Sequence, residues 1–215
     1  MKGIDLDLSP QAIAVTGCIG SGKSKVAQWL GHEWALPVYD ADDEVKILLS
    51  PGHSGWMCLK AILGETYFDI ESRLNKSKLR QAIFADASLR QSVEDALHPL
   101  VLENLKVKTA QFTMPCLVEV PLLYEVNWQS YFSKVLVVYA DPNTCIHRVM
   151  ARDGVNKAQA LAALRNQRSI QEKISFADCV INNSGAWTDT LSQLEAVKKA
   201  ECLPFGKKKL DTLCY

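Results

Sequence analysis

Two short stretches carry residue types that do chemistry only when the backbone holds them in place: Gly17-Cys18-Ile19-Gly20-Ser21-Gly22-Lys23-Ser24 and Asp40-Ala41-Asp42. In the first, Gly17, Gly22, Lys23 and Ser24 satisfy G-x-x-x-x-G-K-[ST] without a mismatch, with an apolar run before them and a helical pattern after. Such a loop binds phosphate. Its glycines let successive N–H groups turn inward, and a helix beginning near Gly22 adds the positive end of its dipole. Lys23 would reach the β- and γ-phosphates and the Ser24 hydroxyl would ligate Mg²⁺. The alternative, a glycine turn that merely enters a helix, does not require the Lys-Ser pair.

Asp40 closes the short apolar stretch Leu36-Pro37-Val38-Tyr39 and opens the acidic cluster Asp40-Ala41-Asp42-Asp43-Glu44. Ligands of open parallel sheets bind beyond the carboxyl ends of the strands, which makes Asp40 a candidate general base. Equally, Asp40 or Asp42 could cap the helix that carries Val45, Leu48 and Leu49, and both roles can coexist on different residues. Glu119, near the end of Pro115–Val120, is a candidate to hold a water on Mg²⁺. Arg148 and Arg152 stand four apart on one helical face, followed by Arg165 and Arg168. Together they suit a lid that screens a transferring phosphoryl group; an exposed helix salt-bridged to Asp153 and Glu172 is the alternative. The turn Asn182-Asn183-Ser184-Gly185 suits an adenine edge or no ligand at all.

These residues need a frame, and the apolar pattern supplies one. Ala12–Thr16 reads as a parallel strand buried on both faces, and Leu36–Asp40, Pro115–Val120, Lys134–Tyr139 and Cys179–Ile181 as further strands. Helical spacing follows the phosphate loop (Val26, Ala27, Leu30, Trp34) and recurs at the end (Leu191, Leu194, Val197). Between Ser54 and about Thr113 the pattern is helical almost throughout, more than a simple crossover needs, and predicts a substrate-covering subdomain. Of its cations Lys76, Lys78, Arg80 and Arg90, most should be solvated. Pro99, after His98, predicts a kink. Residues 1–11 read as a lead-in, and Lys207-Lys208-Lys209 as a solvated tail.

With 215 residues, 48% hydrophobic and 22% charged, the chain is an ordinary globular one. Its 24 basic and 24 acidic residues give no global field for nucleic acid or membrane, so an anionic ligand needs a local site. Seven cysteines without a C-x-x-C pair, and no signal peptide, point to free thiols in a reducing cytoplasm. Cys116, Cys145 and Cys179 read as core residues. The expectation is a soluble cytoplasmic protein, a monomer or weak homo-oligomer.

In this order the motifs resemble the dephospho-CoA kinase family. The resemblance rests on Thr16–Ser24, Pro37–Asp42, Leu79-Arg80 with Ile83-Phe84, Leu97-His98-Pro99-Leu100 and Val120-Pro121-Leu122-Leu123-Tyr124-Glu125. It extends to Glu172-Lys173, Ala177–Ile181, and Asn183 with Gly185. It implies an α/β, three-layer P-loop NTPase fold with a five-stranded, mostly parallel sheet and helices on both faces. One domain would span 1–215, with a helical CoA-substrate-binding insertion at 42–113 and a lid at 141–175. The implied reaction is ATP- and Mg²⁺-dependent phosphorylation of the ribose 3′-hydroxyl of dephospho-CoA, with Asp40, Lys23 and Arg148 catalytic. Gly17, Cys18, Ile19, Gly20, Ser21, Gly22, Lys23, Ser24, Lys25, Arg148 and Asn183 would bind ATP. Asp40, Asp42, Arg80, His98 and Leu122 would bind the acceptor, and Ser24 and Glu119 would serve the metal. The chain departs from the family pattern at Cys18, where a glycine is usual, at Lys25, where threonine is usual, and at Leu74-Asn75-Lys76 in place of Leu-Asp-Arg. A different small-molecule kinase, for example of nucleoside monophosphates, and a non-catalytic nucleotide switch remain alternatives on the residues alone.

Overall fold

The computed structural model describes residues 11–199 and Leu203; the expectations for the lead-in before Gln11 and for Lys207 to Lys209 lie outside the described residues. Five strands, β1 (Ala12–Thr16), β2 (Val38–Asp40), β3 (Cys116–Glu119), β4 (Lys134–Tyr139) and β5 (Cys179–Asn182), form one sheet in the order β2-β3-β1-β4-β5. The β1/β3, β1/β4 and β4/β5 ladders are parallel, with Val15 opposite Glu119 and Thr16 opposite Val137. The chain fills one side of β1 with β2 and β3, then the other with β4 and β5. That reversal opens a crevice at the carboxyl end of β1, where the phosphate loop begins.

By packing, Asp40–Lys108 form one compact unit, and the described residues up to Tyr39 and from Thr109 onward form another. In the sheet unit, β1 is buried at every position because both faces of the sheet are covered. One face sends Ile13, Val15, Leu117, Leu136, Val138 and Ile181 into a cluster with Val26, Ala27 and Leu30 of α1 (Lys23–Glu33) and Leu194 and Val197 of α9 (Trp187–Lys199). Ala12, Ala14, Cys116 and Val118 are equally buried on the alternate face. Each such Leu, Ile or Val contributes about 1.5–3 kcal/mol by leaving water. Three helices lie between β4 and β5: α6 (Pro142–Asp153), α7 (Lys157–Arg165) and α8 (Ile170–Ser175). Asp141 caps α6, while Asn156 with Gln159 and Ser169 with Glu172 form complete capping boxes on α7 and α8.

The other unit contains α2 (Ala41–Leu48), α3 (Ser54–Leu63), α4 (Lys76–Ala85) and α5 (Ala87–Thr109), the last leaving it at Lys108. Leu59, Leu79, Val93 and Leu97 make its core. The helical pattern is interrupted between Leu63 and Lys76. Gly64 and Ser72 turn through positive φ, and Asp69 Oδ1 accepts the N–H groups of Glu71 and Arg73, so local polar bonding outcompetes helix there. Helix α5 continues through Pro99, giving up one backbone bond to the preceding turn. Its end is tied to α2 by an ion pair between Lys108 and the buried Glu44.

Candidate active site

The phosphate loop is shaped by what its glycines avoid. A Cβ at Gly17 would sit 2.3 Å from the Val138 carbonyl oxygen of β4, so the loop leaves β1 in direct contact with its neighbour strand. Gly22, the N-cap of α1, has φ 86°, a left-handed conformation that costs glycine little, and a Cβ there would meet Asn183 Nδ2 at 2.3 Å. Lys23 and Ser24 then occupy the first turn of α1, where the helix N–H groups and dipole favour anions.

Around this loop the structure gathers Glu119, Arg148 and Asn183. The Ser24 hydroxyl donates to Glu119 Oε1 at 2.6 Å, and Lys23 Nζ lies 3.9 Å from the same oxygen. Glu119 and Ser24 are therefore adjacent hard-oxygen donors, the ligand chemistry that suits Mg²⁺. Arg148, on α6, donates through Nη2 to the Asn183 carbonyl at 2.9 Å and through Nη1 to the carbonyls of Gly20 and Ser21 at 3.4 Å. Asn183 is buried: its Nδ2 donates to the Ser21 carbonyl at 2.7 Å, and its Oδ1 accepts from the Thr190 hydroxyl at 2.9 Å. Its amide group is thus engaged in supporting the loop. A cavity of about 250 Å³ is lined by Gly22, Lys25, Arg148, Asn183, Gly185 and Trp187.

The two unusual loop residues are accommodated differently. Lys25 holds its ammonium 3.9 Å from the centroid of the Trp187 ring, a cation–π contact at the rim of that cavity. Cys18 is buried, with Sγ 3.9 Å from the Arg168 carbonyl oxygen, and burial pushes its thiol up from the ordinary range. It remains neutral near the phosphate loop and adds no repulsion against an anion.

The four arginines separate. Arg148 is built into the loop support, whereas Arg152 is exposed and forks onto Asp153 at 2.7 and 2.8 Å, the salt-bridged arrangement that was the alternative for this helix. Arg165 and Arg168 are exposed beside a cavity of about 370 Å³ that also touches Cys18. Leu122 is 44% exposed.

In the helical unit, Asp40 is the N-cap of α2. Its Oδ1 accepts the Asp42 N–H at 2.8 Å, so capping falls on the same carboxylate proposed as base and Oδ2 faces no such demand. Asp42 and Arg80 are exposed on α2 and α4. His98 is half-buried on α5, and that burial lowers its pKa against the opposing pull of Glu94 and Asp95. Sequence reasoning did not single out Gln167, whose Oε1 accepts the Ile19 N–H at 2.8 Å, or Trp187, or any role for the ion pair of Lys173 and Glu125. No local spacing marks these contacts, because each joins segments distant in the chain.

A parallel sheet of this strand order, with a phosphate loop leaving its central strand into α1, defines a P-loop α/β protein of the kinase type. The chain belongs to the dephospho-CoA kinase family, whose profile matches residues 11–189. It is 36% identical over 183 residues to the dephospho-CoA kinase of Vibrio vulnificus strain YJ016, covering 85% of this chain and 91% of that protein. It is 32% identical over 191 residues to the enzyme of the same name from Geobacillus kaustophilus, with 87% and 94% covered. A crystal structure of a Thermus thermophilus protein superposes with a TM-score of 0.77 at 32% identity, over 89% of this chain and 97% of that one. A dephospho-CoA kinase from Campylobacter jejuni, at 23% identity and a TM-score of 0.57 over 88% and 96%, shares the fold. Among the described residues no helix is long and apolar enough to cross a membrane.

Proposed function

We propose that this chain transfers the γ-phosphoryl group of ATP to the ribose 3′-hydroxyl of dephospho-CoA, giving CoA and ADP. The observation that carries the reading is the phosphate loop with Lys23, Ser24, Glu119 and Arg148 gathered around it, in a chain matched to the family over 11–189. Loop amides and Lys23 cradle the triphosphate. Asp40 takes the 3′-hydroxyl proton through Oδ2 while Oδ1 stays on the α2 cap, the hydroxyl oxygen bonds to the γ-phosphorus, and the bridging oxygen leaves with ADP. Arg148, steadied by three carbonyls, screens charge on the moving group. Mg²⁺, held by Ser24 and by Glu119 through water, would neutralise charge on the β- and γ-phosphate oxygens.

In this reading residues 42–113 receive the acceptor through Asp42, Arg80 and His98, with Leu122 contributing from the sheet unit, and residues 141–175 act as the lid. Asn183 contributes to the ATP site by fixing the loop. One domain over 1–215, a cytoplasmic location and a monomer or weak homo-oligomer complete it, with no part for nucleic acid or membrane; the free thiols of Cys18, Cys58, Cys116, Cys145 and Cys179 suit that compartment. The test is ADP release from MgATP with a panel of dephospho-CoA and the common nucleoside monophosphates. Stimulation by dephospho-CoA alone is expected. Preference for a monophosphate, or nucleotide binding without acceptor-stimulated release, would replace this reading.

A further inference from the structure

The segment between α7 and α8 carries Gln167 and Arg168, and contacts of two kinds fix it. On one side it meets the phosphate loop: the Ile19 N–H donates to Gln167 Oε1 at 2.8 Å, and Cys18 Sγ approaches the Arg168 carbonyl oxygen at 3.9 Å. On the other side the Arg168 N–H donates to Glu125 Oε1 at 2.8 Å. That carboxylate oxygen also pairs with Lys173 Nζ at 2.8 Å, and Lys173 further donates to the Pro121 carbonyl at 3.2 Å.

Lys173 has no exposed side-chain surface, and Glu125 retains 17%. Burying such a pair is a poor route to stability, since desolvating both charges offsets most of their attraction. The Oε2 atom of Glu125 is buried without a partner, a further cost that packing alone does not explain. What the pair does supply is a fixed point. Glu125 follows β3, Lys173 lies in α8, and the oxygen they share holds the backbone one residue from the side chain that accepts from the loop.

We infer that Glu125 is a positioning residue for phosphoryl transfer: its Oε1 atom, which also pairs with Lys173, fixes the Arg168 backbone, and through it places Gln167 on the Ile19 amide and the arginine segment beside the phosphate loop. It does not touch the reacting atoms. The inference rests on the kinase reading above and adds one residue, Glu125, whose effect is exerted through Arg168 and Gln167. Neutral replacements that keep an acceptor for the Arg168 N–H should preserve function, and those that remove it should not. Charge itself is secondary to the acceptor.

Two double variants of the full chain separate these effects. Glu125→Gln with Lys173→Met removes both charges and keeps a carbonyl for Arg168, whereas Glu125→Leu with Lys173→Met removes the acceptor too. With MgATP and dephospho-CoA, the first pair should stay within threefold of the wild-type kcat. The second should lose at least tenfold in kcat while the KM for dephospho-CoA moves less than twofold. Equal kcat in the two doubles would overturn the inference, as would a loss that only tracks the melting temperature. Should the leucine variant not fold, Gln167→Ala serves: its Kd for MgATP, read by calorimetry, should rise at least fivefold, and an unchanged Kd counts against the proposal. Calorimetry needs no turnover, so a wild-type chain inert toward dephospho-CoA would sink the kinase reading and leave this arm decisive.

Discussion

Asn183, the residue that follows β5, donates its side-chain amide to the carbonyl of Ser21 at 2.7 Å, so the turn leaving the last strand of the sheet supports the loop that follows the first. The same residue accepts from Arg148 through its carbonyl and from Thr190 through Oδ1. Replacement by alanine would leave the Thr190 hydroxyl and the Ser21 carbonyl without these partners inside the protein, a cost of about 1–3 kcal/mol. Asn183→Ala is therefore expected to lower the denaturation midpoint and to weaken MgATP binding at least tenfold. Denaturant unfolding and calorimetry check the two parts separately.

Asp40 combines a cap and a proposed base, and substitution can separate them. Asparagine caps helices about as well as aspartate, so Asp40→Asn should keep the melting temperature while lowering kcat at least a hundredfold with little change in ATP affinity. Asp40→Ala should lose the same activity and about 1 kcal/mol of stability. Wild-type turnover by the asparagine variant would remove Asp40 from proton transfer.

The Ser24 and Glu119 contact predicts a specific metal phenotype. Glu119→Gln keeps an oxygen near Ser24 but loses the charge that attracts a divalent ion and balances Lys23. Turnover measured against Mg²⁺ concentration should shift to roughly tenfold higher demand, and recover in part at saturating Mg²⁺. An unshifted Mg²⁺ curve would separate Glu119 from the metal.

His98 gives a pH test within the helical unit. Burial lowers its pKa beneath the ordinary value of about 6.5. A depressed histidine binds fewer protons in the folded than in the unfolded chain, so its contribution to stability is present above about pH 6.5 and is lost as pH falls through the folded pKa. NMR titration should show the His98 ring turning below 6.5, and His98→Gln should lessen the loss of stability on acidification across that window. A titration at or above 6.5 would contradict the burial argument.

The thiols give the opposite sign. Burial pushes Cys116 and Cys145 up to about 11, so both stay protonated and should resist alkylation at pH 8, whereas the partly exposed Cys58 should react before either of them. Between roughly pH 9 and 11 the unfolded chain releases these protons before the folded one does, so stability declines as pH rises through that interval. Peptide mapping after timed alkylation, and unfolding curves at alkaline pH, check both statements.

The phosphate loop, the five strands and the sheet-facing helices were legible because each is written in adjacent residues. Glycine spacing, unbroken apolar runs and i, i+4 repeats act over a few positions, where backbone geometry fixes which side chains share a face. The nearly continuous helical reading of Ser54 to about Thr113 gave way at Gly64 and Asp69, and Arg148 and Arg152, four apart on α6 as read, found different partners, Arg152 turning to its own neighbour Asp153. What only the tertiary structure decided are the contacts that cross the chain: Asn183 to Ser21 across 162 residues, Gln167 to Ile19 across 148, and Arg168 to Glu125 across 43. Their partners are set by how strands order themselves in the sheet and where the intervening helices return, and a periodicity confined to one element does not encode that. The sequence by itself determined that a glycine turn of the phosphate-loop type would form at Gly17 to Ser24; the packing of distant segments decided what holds that turn in shape.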